Sequence, residues 1–133
     1  MEIVIDTSAI LAVVGLQPER AELIRLTKGA TLVAPSSVHW EIGNAMSAMF
    51  KRRAIELDIA LSMIDAYAGI PIRLMDTRLA QAVELSHKLN IYAYDAYVIG
   101  CAMNQRAPIL SLDNLLKERA RSLNLEVIEV KAI

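Results

Sequence analysis

The stretch Ile3–Leu11 constrains the fold of this chain more than any other part of its sequence. It opens with the β-branched run Ile3–Ile5, which is typical of a strand buried on both faces. The run stops at Asp6, and Thr7 and Ser8, two residue types that favour helix N-caps, precede an apolar helical segment. The stretch therefore predicts a strand-to-helix turn that carries a carboxylate. Ligands of open α/β sheets bind at the carboxyl ends of strands, so Asp6 marks a candidate site.

Strands and helices alternate along the whole chain. Strands are predicted at 3–5, 31–34, 71–75, 108–112 and 126–130, the last with the alternating character of a sheet edge. Asp76 is predicted to cap one helix, and Asp95 to open the helix 96–105 after a short link at 91–94. The alternation predicts an α/β fold of three layers, in which helices cover both faces of a central parallel sheet.

Length and composition favour one domain over residues 1–133. The hydrophobic content of 55% exceeds the usual ~45–50%, which leaves apolar surface for a partner. The net charge of −1 provides no overall basic field for nucleic acid. The single cysteine, Cys101, excludes a disulfide within the chain. Glu2 and Asp6 argue against a signal peptide, and no apolar run reaches the ~18 residues that span a membrane, so we expect a cytoplasmic protein.

Four acids fall at or near predicted strand-to-helix junctions: Asp6, Glu41, Asp95 and Asp113. Taken singly, each Asp is more simply explained as a helix cap, and Glu41 as an exposed helical acid. Together, however, their positions bring all four to the same edge of a parallel sheet. Carboxylates gathered so closely repel one another unless a cation joins them. Mg²⁺ or Mn²⁺, which take oxygen ligands, would meet that need and activate water beside a phosphate.

The four acids lie in stretches that resemble the PIN-domain family, and most closely the VapC-type toxins of toxin–antitoxin pairs. The resemblance covers nearly the whole chain in order and spacing. The matching stretches are Ile3–Ser8, Glu41–Ala45, Tyr94–Ala102 and Leu110–Asp113. Ser111 departs from the Thr that is more usual two residues before the fourth acid, but it keeps the hydroxyl group.

The resemblance implies a role for each matching residue. Asp6, Glu41 and Asp95 would be the core metal ligands and catalytic acids, and Asp113 would complete the site directly or through a water. The supporting residues would be Thr7, Ser8, Asn44 and Ser111. The implied function is a Mg²⁺- or Mn²⁺-dependent endoribonuclease, the toxin of a toxin–antitoxin system. The implied partners are an RNA substrate, a cognate antitoxin and a second copy of the chain.

Other functions stay open on the sequence alone. A non-catalytic PIN-like module that binds RNA or protein is the main alternative, although such a module would be expected to lack an acid. A phospho-acceptor of the haloacid-dehalogenase type needs a second Asp where Ser8 stands, and a receiver domain needs a Lys where Asp113 stands. Arg52, Arg53 and Arg73 are candidate phosphate contacts. Trp40 is expected in the core, or else in an antitoxin groove beside the first helices.

Overall fold

A four-stranded parallel sheet forms the middle layer of the computed structural model, which describes residues 1–131. Its strands coincide with short β-branched or apolar runs of the sequence, which favour an extended backbone. They are β1 (Glu2–Ile5), β2 (Thr31–Pro35), β3 (Ile72–Met75) and β4 (Ile109–Leu110), in the spatial order β3-β2-β1-β4. All neighbouring pairs are parallel, so the predicted central parallel sheet is confirmed. Residues 132 and 133 of the predicted domain lie outside the described residues.

Seven helices of the described chain form the outer layers of the fold. Four precede β3 and three follow it. They are α1 (Thr7–Val14), α2 (Arg20–Thr27), α3 (Ser37–Lys51), α4 (Leu57–Ala68), α5 (Leu79–Leu89), α6 (Ala93–Gln105) and α7 (Asn114–Ser122). Left-handed residues follow several of these helices, among them Gly29 (φ 78°) just past α2 and Asn90 (φ 53°), which caps α5. No helix in this part of the chain is both long enough and apolar enough to cross a membrane.

Alternate residues of β1 feed two separate cores. Ile3 and Ile5 pack with α1, α2 and α3, while Val4 packs on the opposite face with α5 and α6. This alternation follows from the strand period of two, which sends successive side chains to opposite faces. The three-layer α/β/α arrangement predicted from the sequence is therefore confirmed.

Helix α6 is the central helix of the second core, as its nearly uniform apolar character predicts. It packs on β1 and β2, and Val98, Ile99 and Cys101 are buried. The Cys101 thiol shares its core cluster with Ala82 and Leu85 of α5. Burial raises the pKa of this thiol to about 11, and the nearby charge of Glu2 adds to the effect.

Two predicted helix caps are wrong. Asp6 itself caps α1, because its side chain accepts a hydrogen bond from the backbone N–H of Ala9, whereas Thr7 is already the first helical residue. Asp76 does not cap α5, because the backbone stays extended as far as Arg78. Capping requires the side chain to reach the N2 or N3 amide, and Asp76 lies too far upstream of Leu79 to do so.

The boundaries of α6 and β4 also differ from the prediction. Helix α6 begins at Ala93, so Asp95 lies inside its first turn and does not precede the helix. The predicted strand 108–112 shortens to Ile109–Leu110, because the following amides bond to serine hydroxyls and not to a neighbouring strand. The predicted terminal strand 126–130 is reduced to one parallel bridge, Ile109 to Val127, at the β4 edge.

Candidate active site

The four predicted acids lie beyond the carboxyl ends of the strands, and they occupy three kinds of position: after a strand, inside α3 and in the first turn of α6. Asp6 directly follows β1, and Asp113 lies three residues after β4, the strand that pairs with β1. Glu41 is one turn into α3, which follows β2. Helix α6 ends just before β4 begins, so its first turn, with Asp95, lies at the opposite, carboxyl end of the sheet.

Asp6 is fixed by two serine hydroxyls from opposite ends of the chain. Ser8 donates a 2.7 Å hydrogen bond to Oδ1, and Ser111 donates one of 2.6 Å to Oδ2. Each hydroxyl in turn accepts a backbone N–H, from Leu112 to Ser8 and from Asp113 to Ser111, both at 2.9 Å. The two serines therefore tie the Asp6 carboxyl group to the loop after β4.

Asp6 and Asp113 are helix caps as well as candidate site acids. Asp6 Oδ1 accepts the Ala9 amide at 3.0 Å, and Asp113 Oδ1 accepts the Leu116 amide at 3.1 Å. The simple capping explanation weighed for these two residues is thus correct as far as it goes. It does not exclude a site role, because one oxygen of Asp113 makes the cap bond and the other is available.

Burial raises the pKa of Asp6, whose residue is only 5% exposed. The hydrogen bonds from Ser111, Ser8 and Ala9 oppose that rise, since they favour the charged form. The charge of Asp113 adds to the rise, which shows that these two carboxylates lie close enough to repel.

Two acids of the cluster have a resolved pKa value, and Glu41 has the larger shift, to about 7. Burial is the main cause, and the charges of Asp6 and Asp95 add to it. The Thr7 hydroxyl favours the charged form. However, Oε1 of Glu41 and Oγ1 of Thr7 are both buried without a hydrogen-bond partner in the described chain, so the Thr7 hydroxyl lies near Glu41 without satisfying Oε1. Such orphaned oxygens mark a place where an additional donor or cation fits.

The pKa of Asp95 is raised to about 6, first by burial and then by the charges of Asp113 and Asp6. No hydrogen bond from the described residues opposes the rise. Each of the four acids is therefore linked to at least one other by a charge that raises a pKa, so the four predicted residues form one electrostatically connected group.

The cluster supplies the right donors for a hard divalent cation, but the side chains are not arranged as a complete coordination site. Carboxylate oxygens are the ligands that Mg²⁺ and Mn²⁺ prefer, and a cation would relieve the raised pKa values. Within residues 1–131, however, no group of three or more His, Cys, Asp or Glu side chains is positioned to hold a metal ion. Both oxygens of Asp6 already accept hydrogen bonds, whereas Glu41 Oε1 has none. The donor chemistry fits, and the carboxylates of Glu41 and Asp95 are less restrained by hydrogen bonds than that of Asp6.

The remaining predicted site residues have different degrees of involvement. Ser8 and Ser111 bond directly to Asp6, and Thr7 lies beside Glu41. Asn44 is exposed one turn after Glu41 on α3. The sequence analysis did not select Ser37 as a site residue. Its hydroxyl is buried without a partner in the described residues. Its position four residues before Glu41, on the same face of α3, could have indicated it.

Two other expectations about this region change with the structure. Trp40 is not in the core, because it is 68% exposed and packs only its edge against His39. Arg73 is not free to bind phosphate beside the acids, because it pairs with Glu2 at 3.2 Å near the start of β1. Lys51, Arg52 and Arg53 lie at the far end of α3 from Glu41.

A family comparison agrees with this geometry. The PIN domain model matches residues 3–122, which is most of the chain. The chain belongs to the PIN domain family. PIN domains are generally nucleases, so the acid cluster lies in a fold with a hydrolytic family background. No curated protein matches the chain by sequence.

Several solved structures share the fold of this PIN domain. PAE2754 from Pyrobaculum aerophilum has a TM-score of 0.70 at 18% identity. The match covers 98% of this chain and 91% of the PAE2754 chain. VapBC2 from Rickettsia felis, bound to a DNA fragment from their promoter, has a TM-score of 0.68 at 15% identity. The match covers 96% of this chain and 98% of the VapBC2 chain. FitAcB from Neisseria gonorrhoeae has a TM-score of 0.52 at 15% identity, with 96% of each chain covered. At these identities the likeness establishes the fold alone.

Proposed function

We propose that this PIN domain is a metal-dependent endoribonuclease that hydrolyses RNA phosphodiester bonds and acts as the toxin of a toxin–antitoxin pair in the cytoplasm. The observation that carries the proposal is the convergence of four acids beyond the carboxyl ends of the strands, where burial, together with the charges of Asp6 and Asp95, raises the pKa of Glu41 to about 7. Clusters of raised carboxyl pKa values are typical of catalytic sites that bind cations.

Each acid has a distinct part in the proposed reaction. Asp6, Glu41 and Asp95 would hold Mg²⁺ or Mn²⁺, and Asp113 would complete the site directly or through a water. When bound, the ion would polarise the scissile phosphate and lower the pKa of a coordinated water. Ser8 and Ser111 keep Asp6 oriented through their hydrogen bonds. One acid of the cluster would accept a proton from the attacking water as the general base.

Apolar surface supports the two proposed protein partners. A cleft of about 260 Å³ opens beside α1 and α2, and Ile10, Val13, Leu23 and Ile24 line part of it. An antitoxin segment would pack apolar side chains there and place an Arg or Lys among the acids. Leu79, Val83 and Met103 are exposed on α5 and α6, where a second copy of the chain would cover them.

One observation keeps the alternative of a non-catalytic PIN-like binding module in view. No three acidic side chains in the described part of the chain are positioned to hold a metal ion. A binding module would retain the fold and an RNA or protein partner but would not hydrolyse phosphodiester bonds with any metal.

The deciding experiment is a cleavage assay on purified protein with end-labelled RNA, with Mg²⁺, Mn²⁺ or EDTA. We expect cleavage only with metal and its loss in D6N, E41Q and D95N. D58N is the matched control, because Asp58 is an exposed acid in the first turn of α4, at the other end of that helix from Tyr67. RNA binding without cleavage under every metal condition would favour the binding module.

A further inference from the structure

Trp40 occupies an unusual position for the only tryptophan of the chain. It lies on α3 directly before Glu41, and 68% of the residue is exposed. A tryptophan normally buries most of its large apolar surface, so leaving the indole in water forfeits a substantial hydrophobic gain. A feature that is this unfavourable for the isolated domain indicates a ligand for the ring.

The indole is held in place although it is exposed. The His39 ring meets it edge-on, with ring centroids 4.9 Å apart and an interplanar angle of 87°. His39 Nδ1 in turn lies 3.3 Å from the hydroxyl oxygen of Tyr67 on α4, within hydrogen-bonding distance. A perpendicular contact covers at most one face of the indole, so the opposite face is available, and a braced ring loses little conformational entropy on binding.

The surroundings of Trp40 distinguish between possible ligands. Its exposed neighbours on α3 include His39 and Asn44, and the residue after it is Glu41, so the indole is an apolar group within a largely polar surface of α3. An apolar protein segment would find more partners on α4, where Leu57 and Leu61 are both exposed at a spacing of four. A nucleotide combines one flat aromatic group with polar sugar and phosphate, which suits Trp40 better.

We propose that Trp40 is a substrate-binding residue, and that an unpaired RNA base stacks on its indole beside the phosphodiester group at Glu41. This inference rests on the proposed function. Stacking on an aromatic side chain is tolerant of base identity and contributes affinity in proportion to the exposed ring face. Trp40 therefore positions the strand relative to the acids, while the acids supply the chemistry.

The test uses Trp40 as its own reporter. A short unstructured oligoribonucleotide is titrated with Mg²⁺ into D95N, which prevents cleavage, while tryptophan emission and the anisotropy of a label on the RNA are recorded. We expect quenching of the emission on binding. W40A in the same background should weaken binding about tenfold, within the range of one stacked base, and W40F should retain most of it. The same RNA in a duplex should quench little.

The matched control is L57A, which removes a residue that is 62% exposed at the start of α4, at the other end of that helix from Tyr67. It should leave RNA affinity unchanged. RNA that binds D95N and W40A/D95N equally, without quenching Trp40, would overturn the stacking role but not the nuclease proposal. Wild-type protein that neither binds nor cleaves RNA would overturn both. A third outcome would assign Trp40 to a protein interface. In that case the antitoxin would quench the Trp40 emission, and W40A would lose affinity for the antitoxin but keep its affinity for RNA.

Discussion

The hydroxyl of Ser111 donates a 2.6 Å hydrogen bond to Oδ2 of Asp6, although 105 residues separate the two along the chain. Ser111 is fully buried, and the same hydroxyl accepts the backbone N–H of Asp113. One oxygen atom therefore links an acid after β1 to the backbone of an acid after β4. The geometry of half the acid cluster depends on this link.

Replacing Ser111 by Ala should loosen Asp6 and leave the Asp113 amide unsatisfied. We expect the free energy of unfolding to fall by about 2 kcal/mol, since a buried hydrogen bond to a charged group is lost. RNA cleavage should fall about 10- to 100-fold, as it does when groups supporting metal ligands are removed. Urea unfolding and cleavage rates measure the two effects. S111T, which keeps the hydroxyl, should retain most of the activity, and equal loss in both variants would contradict the hydrogen-bond explanation.

Asp6→Asn should abolish cleavage without destabilising the metal-free protein. The amide oxygen still accepts the Ala9 N–H and preserves the α1 cap, and the disappearance of the repulsion with Asp113 offsets the loss of the oxygen that accepts from Ser111. Thermal melts in EDTA should show a melting temperature equal to or above that of the wild type. D6A also loses the cap and should be less stable than D6N by about 1 kcal/mol. Addition of Mn²⁺ should raise the melting temperature of wild type only, and an equal rise in D6N would remove Asp6 from the metal site.

The stability of the metal-free protein should decrease as the pH rises from 5 to 8. The pKa of Glu41 is raised from 4.5 to about 7, and that of Asp95 from 3.8 to about 6, so the folded chain holds protons that the unfolded chain has released. Folding then takes up protons, and the free energy of unfolding falls with increasing pH through this window. Urea unfolding in EDTA at several pH values measures the slope.

E41Q is the control for this pH dependence, because it removes the acid with the larger resolved shift. Its free energy of unfolding should vary less between pH 5 and pH 8 than that of the wild type. A wild-type stability that is constant or increases over this interval would mean that Glu41 and Asp95 are not held in a repelling, partly buried cluster.

Gly100 and Gln81 set how closely α5 approaches α6. A Cβ added at Gly100 would lie 3.1 Å from Oε1 of Gln81, whose amide also forms paired hydrogen bonds with Asn104. G100A should therefore be nearly neutral in the wild-type background, because the helix-propensity gain of up to ~1 kcal/mol is spent on moving Gln81. In the Q81A background the same substitution should be stabilising. A double-mutant cycle by urea unfolding measures this coupling, and strict additivity would refute the steric argument.

The strands of the fold were predictable because their residues are apolar and β-branched wherever a face is buried. Ile3–Ile5 and the run at 31–35 both appear as strands within one residue of their predicted limits. The start of α6 was not predictable, since Tyr92 occupies the N-cap position with no capping hydrogen bond from its side chain. The segment 126–130 alternates like an edge strand, but the two-residue β4 offers only Ile109 as a partner.

The acids of the candidate site were predictable from their positions after strands, but their partners were not. The bond between Ser111 and Asp6 depends on β1 pairing with β4, which no local pattern encodes. Trp40 illustrates the same limit in the other direction. Its exposure follows from which face of α3 packs on the sheet, with Val38 and Ile42 turned inward. A lone tryptophan carries no sequence signal for that choice.

Cys101 gives this PIN domain a built-in reporter of its own opening motions. As the only thiol, packed with Ala82 and Leu85 and with a pKa raised to about 11, it is shielded from alkylating reagents in the closed protein. Its labelling rate therefore measures how often α5 separates from α6. Because Asp95 lies on the same helix as Cys101, labelling with and without metal or RNA would show whether ligands at the acids restrain that separation.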